Sequence, residues 1–210
     1  DLTRLFNQLS GYAPKSTFKR LLVAPRSVRS GLIDRIETEI RNARAGLAAR
    51  VQIKVNSMVD EAIIDSLYRA SQAGVMVDVI VRGICSLRPG VPGLSDNITV
   101  RSVLGRFLEH SRVFAFANGG DPVVYIGSAD MMHRNLDRRV EALVQLANPD
   151  DIRYVLDLLQ RYMDPETASW HLDNEGLWNR HHIADDGSPL DDIQSWLLAS
   201  RTRQRSLSRR

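Results

Sequence analysis

The chain has 210 residues, 43% apolar and 25% charged, which suits one medium-sized globular domain, alone or with an extension. No apolar run approaches the ~18 residues of a membrane-spanning helix, and residues 1–7 lack the basic and apolar segments of a secretory signal. A single cysteine, Cys85, excludes an internal disulfide and points to a reducing compartment; beside a strand it reads as packing rather than as a nucleophile.

The formal net charge is +3, but Arg201, Arg203, Arg205, Arg209 and Arg210 fall in the last ten residues, and without them 23 basic residues face 25 acidic ones. The excess positive charge therefore belongs to a tail, expected to be solvated and disordered, with contact to a polyanion left open. Only Lys15, Lys19 and Lys54 are lysines; every other basic residue is Arg. The planar guanidinium fork suits phosphate oxygens, and a bias of the source genome explains the same count. The first residue is Asp1 rather than Met, which suggests a piece excised from a longer protein.

In chain order, residues 1–17 read as a linker or the end of a preceding domain. Residues 18–24 read as a strand ending at Pro25. Leu32, Ile36, Ile40, Ala43 and Leu47 recur at helical spacing, and Gly46 weakens the end of that helix. Residues 50–56 alternate with period two and predict a strand. Asp60 is a candidate N-cap for a helix burying Ile63, Leu67 and Ala70, closed by Gly74. The β-branched run 75–81 predicts a central strand ending at Arg82-Gly83. Residues 84–97, with two Pro and two Gly, form a loop at the strand end where open α/β sheets bind ligands.

Three short strands follow over 98–104, 112–117 and 123–127, with Asn118-Gly119-Gly120-Asp121 as the turn between the last two, and then a strand over 139–147. Asn148-Pro149 opens a helix with Ile152, Leu156, Leu159 and Met163 on one face. Residues 169–172 and 177–180 flank a turn at 173–176. Ser188-Pro189-Leu190-Asp191 resembles the start of a last helix with Leu190, Ile193 and Leu197. The alternation of strands and helices predicts an α/β layered fold. No spacing suits a metal site, since the adjacent His181 and His182 point apart.

Three stretches could carry chemistry. Arg82 ends an apolar strand, where a buried guanidinium needs an anionic partner: a phosphate, or equally a structural Asp or Glu. His110, within Glu109-His110-Ser111-Arg112, is the residue type that gives, takes or carries a proton or phosphoryl group near neutral pH. Glu109 is a poor orienting partner for it, because strand neighbours face opposite ways. Gly127-Ser128-Ala129-Asp130, followed by Arg134, Asn135, Arg138, Arg139 and Glu141, reads as a backbone approach to a ligand beside a charged wall, or as a turn with surface ion pairs.

The order His-x-basic, strand, hairpin, Gly-Ser-x-Asp resembles the phospholipase D superfamily motif of His-x-Lys, Asp and Gly-Ser-x-Asn. It departs from that motif: Arg112 replaces the Lys, Ala117 stands near the expected Asp, and Gly127 falls about three residues too far along. A longer resemblance is far more specific. Residues 52–60 (QIKVNSMVD), 63–68 (IIDSLY), 79–86 (VIVRGICS), 94–98 (LSDNI), 107–112 (FLEHSR), 118–121 (NGGD), 125–130 (YIGSAD) and 134–141 (RNLDRRVE) resemble the last domain of bacterial polyphosphate kinases, as do 21–25 (LLVAP).

The resemblance implies a phospholipase D-like mixed β-sheet flanked by helices over 18–165. A small hairpin-plus-helix extension follows over 166–200, and then the Arg-rich tail over 201–210. It further implies reversible transfer of the terminal phosphate of ATP to polyphosphate through a phosphohistidine in a preceding domain. Arg82 is then the ATP-contacting arginine and His110 the second essential histidine. Mg²⁺ ligands and adenine contacts are expected outside this chain. The expected partners are ATP or ADP, polyphosphate and the preceding domains, in a cytoplasmic or membrane-peripheral homo-oligomer without a specific nucleic acid. Two other readings remain open: a phospholipase D-like phosphodiesterase, and a docking module for a polyanion.

Overall fold

The computed structural model describes residues 1–11 and 17–207, with backbone alone from 201 onward. One nine-stranded sheet runs through it, in the order β1-β7-β6-β5-β2-β3-β4-β8-β9. The strands are β1 (Leu21–Val23), β2 (Arg50–Val55), β3 (Met76–Val81), β4 (Ile98–Ser102), β5 (Arg112–Phe116), β6 (Val123–Gly127), β7 (Ala142–Gln145), β8 (Ser169–Leu172) and β9 (Trp178–His181). Strands β2, β3 and β4 are parallel, and every other pairing is antiparallel.

Helices cover both faces. After α1 (Leu2–Leu9), α2 (Val28–Arg44) and α3 (Glu61–Gln72) pack on one side, where Leu32, Ile36, Ile63 and Leu67 meet Val51, Ile53, Val77, Val79 and Phe114. On the other side, α4 (Pro149–Tyr162) and α5 (Ile193–Leu207) bring Leu159, Tyr162 and Ile193 against Ile80, Val113 and Val124. The period-two pattern of β2 therefore separates two interiors. Its apolar residues face α2 and α3, while Gln52 and Lys54 are buried on the α4 side.

Local signals hold at several ends. The Asp60 carboxylate accepts the Ile63 N–H, the Asn148 amide oxygen accepts the Asp150 N–H, and Gly74 closes α3 with φ of 88°. The 118–121 turn forms as a short 3₁₀ turn with Asn118 at φ 48°. Buried Glu39 of α2 accepts the backbone N–H groups of Arg50 and Asn118, tying the hairpin to the helix layer, and burial pushes its carboxyl up.

Other expectations change. Leu47 lies beyond α2 and is 54% exposed, because the helix stops at Arg44 and Gly46 turns the chain with φ of 70°. The 1–17 linker contains α1, whose Leu5 packs on Leu21 and Val23; residues 12–16 lie outside the described part. The C-terminal hairpin does not stand apart: β8 pairs with β4 and lengthens the main sheet. Asp192, not Ser188, caps α5, accepting from Gln194 N at 3.1 Å and Ser195 Oγ at 2.7 Å, while Pro189 bridges Ile183. The tail expected to be disordered is helical to Leu207, since extending an existing helix costs little and Arg is a good helix former; 208–210 lie outside the described residues. Among the described residues no helix is long and apolar enough to cross a membrane.

Two positions of the apparent α2 stripe allow a test by urea denaturation. Ile36 is fully buried, so Ile36→Ala should cost about 2–5 kcal/mol of stability. Leu47→Ala should stay within about 0.5 kcal/mol of the parent, and a loss like that of Ile36→Ala contradicts this placement.

Candidate active site

Parallel β2 and β3 end at one edge of the sheet, where antiparallel β5 begins and β6 ends. That topology gathers Asn56, Arg82, Arg112 and Asp130. Asp130 is 6% exposed and accepts the Asn56 backbone N–H at 2.7 Å, the Asn56 amide at 3.2 Å and Arg112 Nη2 at 2.8 Å. Burial pushes its carboxyl up, but the Arg112 and Asn56 donors outweigh that and hold it below the usual carboxylate range.

Arg82 is half-buried. Its Nε donates to Asn56 Oδ1 at 3.1 Å and to the Glu109 carbonyl at 2.9 Å. Among the described residues it pairs with no carboxylate, and its Nη groups have no protein acceptor. Of its two readings, the structural salt bridge finds no partner among the described residues.

His110 is exposed beside Arg112, whose Nη1 lies 3.0 Å from His110 Nδ1 and 2.9 Å from the His110 carbonyl. Guanidinium nitrogens only donate, so this contact is a hydrogen bond when Nδ1 is the acceptor. That tautomer leaves the ring proton on Nε2. Arg82 and His110 are linked through the backbone, since Arg82 grips the carbonyl of the residue before His110. They nevertheless line separate depressions, about 260 Å³ for Arg82 with Trp170 and Trp178, and about 520 Å³ for His110 with Tyr154, Leu158 and Leu197.

Glu109, as expected, does not orient His110. Its carboxylate turns inward and accepts from Lys54 Nζ at 3.0 Å, Tyr162 Oη at 2.8 Å and Gln194 Nε2 at 2.7 Å. Lys54 also donates to Ser111 Oγ at 2.8 Å and lies over the Tyr162 ring, 5.1 Å from its centroid. Burial lowers the Lys54 ammonium against the pull of Glu109. Burial raises the Glu109 carboxyl, but Lys54, Gln194 and Tyr162 outweigh it and leave it low. Burial, then Glu109, pushes the Tyr162 phenol up.

The third stretch resolves differently from its ligand-approach reading. A Cβ on Gly127 would run into the Ala142 carbonyl and Leu143, so this glycine admits strand β7 rather than a ligand. Asn135 donates to Glu141 at 2.6 Å, both buried, while Arg134, Arg138 and Arg139 are exposed. The 84–97 loop is pinned to α3 through Arg88 N on Tyr68, Gln72 on Gly93 and Asn97 on Ser71. Burial raises the Cys85 thiol to about 11, in keeping with a packing role.

Asp60, Glu61 and His133 come within metal-ligand distance of one another, but Arg29 holds Asp60 at 2.8 Å and Asp137 at 2.6 Å, placing a cation inside the group. Sequence reasoning missed Lys54, Asn56, Tyr162 and Gln194. One signal was available: Lys54 is the single lysine inside a strand otherwise destined for the interior.

The Lys54–Glu109 pair predicts its own mutational pattern, readable as urea midpoints. Glu109→Ala strands a buried ammonium and should cost about 3–5 kcal/mol, whereas Lys54→Met with Glu109→Gln should recover most of that loss. Glu109 and Asp130 both have depressed folded pKa values, so their stabilisation is present above the unfolded carboxylate range. It is lost as pH falls through the folded values, and the midpoint should drop on going from about pH 6 to about pH 3. A flat profile, or a double variant as unstable as Glu109→Ala, contradicts the pairing.

Residues 21–190 match the family model of polyphosphate kinase C-terminal domain 2. A polyphosphate kinase of Streptomyces coelicolor is 63% identical over 98% of this chain, and one of Mycobacterium tuberculosis is 52% identical over 94%. The chain spans about 28% of the former and 27% of the latter. The solved polyphosphate kinase of Porphyromonas gingivalis superposes with a TM-score of 0.89 at 35% identity, over 98% of this chain and 32% of its own. Nuc from Salmonella typhimurium, a phospholipase D family member, superposes at 0.51 with 17% identity, over 77% of this chain and 97% of its own, so it shares the fold alone. With the family model covering most of the chain and the superposition covering nearly all of it, this chain belongs to the polyphosphate kinase family, as its C-terminal domain 2.

Proposed function

We propose that this domain forms one wall of a site that transfers the terminal phosphate of ATP, reversibly, to inorganic polyphosphate, with Arg82 and His110 facing the phosphates. The observation that carries this is an arginine with no carboxylate partner among the described residues, anchored by Nε alone one residue from an exposed histidine. Anchoring at Nε leaves the Nη donors for phosphate oxygens, each charge-assisted bond contributing roughly 1.5–3 kcal/mol. His110, held through Nδ1, presents Nε2–H to the transferred group or its leaving oxygen, a donor or general-acid role worth about 10²–10⁴ in rate. Phosphoryl transfer depends mainly on such positioning and charge stabilisation.

The phosphorylated histidine and the adenine contacts belong, in this reading, to preceding domains, which close the two depressions into one site. Mg²⁺ accompanies the ATP phosphates and takes its protein ligands from those domains too. The carboxylates at this rim do not suit it, because Asp130 is engaged by Arg112 and Glu109 by Lys54. The full-length enzyme is read as a cytoplasmic homo-oligomer. A phosphodiesterase role is not favoured, since Arg112, standing where that motif has Lys, is bonded to Asp130 and His110.

In the full-length enzyme, His110→Ala should lower polyphosphate synthesis about 10²–10⁴-fold with the circular dichroism unchanged; retention of more than about a tenth of wild-type turnover excludes the role. Arg82→Ala should raise the KM for ATP, and an unchanged nucleotide affinity by calorimetry counts against the phosphate contact.

A further inference from the structure

Gln194 stands at the start of α5, is 4% exposed, and lies beyond the residues that the family model matches. Its side-chain amide makes three hydrogen bonds, all to one loop. Phe107 N donates to Oε1 at 2.8 Å; Nε2 donates to the Phe107 carbonyl at 2.9 Å and to Glu109 Oε1 at 2.7 Å. The first two engage both backbone groups of Phe107, as a neighbouring strand does, and so fix that residue's peptide planes.

The loop is shaped to receive this amide. A Cβ on Gly105 would lie 2.5 Å from Gln194 Oε1 and 2.7 Å from its Cδ, so the glycine provides room for Gln194. The loop has little apolar anchorage of its own: Leu104, Phe107 and Leu108 are 62%, 48% and 68% exposed. What holds it is polar. Glu109, fixed by Gln194 and Lys54, offers its carbonyl to Arg82 Nε, and His110 follows directly.

We infer that Gln194 is a positioning residue, through which the C-terminal helix sets the placement of His110 by clamping Phe107 and Glu109. This rests on the phosphate-facing role proposed above. Gln194 touches no reacting group; it acts through the loop.

The test uses the full-length enzyme with Gln194→Ala and, independently, Gly105→Ala, whose methyl displaces the amide while leaving Gln194 in place. Both should lower kcat about 10–100-fold, the scale expected from misplacing a catalytic group by about 1 Å. Amide hydrogen exchange over 104–111 should rise, while β3 exchanges as in the parent. Because Gln194 acts through His110, the double variant His110→Ala with Gln194→Ala should be no slower than His110→Ala alone, whereas a general loss of structure would multiply the two effects. A kcat within about twofold of the parent in both single variants, or multiplying losses in the double variant, overturns the positioning role. Full turnover in His110→Ala instead removes the functional reading, and exchange over 104–111 then decides alone whether Gln194 holds the loop.

Discussion

The arrangement of the rim depends on one buried ion pair. Lys54 lies in the middle of a sheet whose two faces are both covered by helices, and its side chain is 4% exposed. An ammonium there is costly unless it is neutralised and its donors are used. Glu109 supplies the countercharge, and Ser111 and the Tyr162 ring complete the enclosure. That demand pulls the segment before β5 down onto the sheet, and His110 comes with it. It also aims the Glu109 carbonyl at Arg82. An electrostatic requirement inside the core thereby fixes the position of groups at the surface.

A second network works alongside the first. Asp130, reached from β6, joins Asn56 at the end of β2 to Arg112 at the start of β5, and Asn56 passes the constraint to Arg82. Arginine serves two opposite uses here. Arg112 is fully engaged by Asp130 and His110, whereas Arg82 is gripped at one nitrogen and left with donors to spare. The two depressions beside Arg82 and His110 remain separate in this chain, which spans under a third of the length of the Streptomyces coelicolor relative.

Much of this was readable along the chain, for a physical reason: strand and helix periods, caps and turns are set by near neighbours. The Asp60 and Asn148 caps, the turn at Asn118 and the apolar run of β3 are all of that kind. Errors fell where tertiary contacts compete with local signals. Leu47 continues the helical spacing of α2 but follows the last helical turn, and Ser188 has the pattern of a cap while Pro189 bridges Ile183. Gly127 resembled a ligand-approach glycine and proved to make room for β7.

Residue type and short-range period were enough for the α/β class, for the order of the strands and helices after α1, and for the candidacy of Arg82 and His110. Folding in three dimensions set Arg112 against a carboxylate and left Arg82 on neutral acceptors. It also buried Lys54 and joined the hairpin of β8 and β9 to the main sheet. Those outcomes depend on partners far apart along the chain, as with Lys54 and Ser111, 57 residues apart. Charge neutralisation and hydrogen-bond satisfaction act through space, and no local pattern records which distant group will meet the demand.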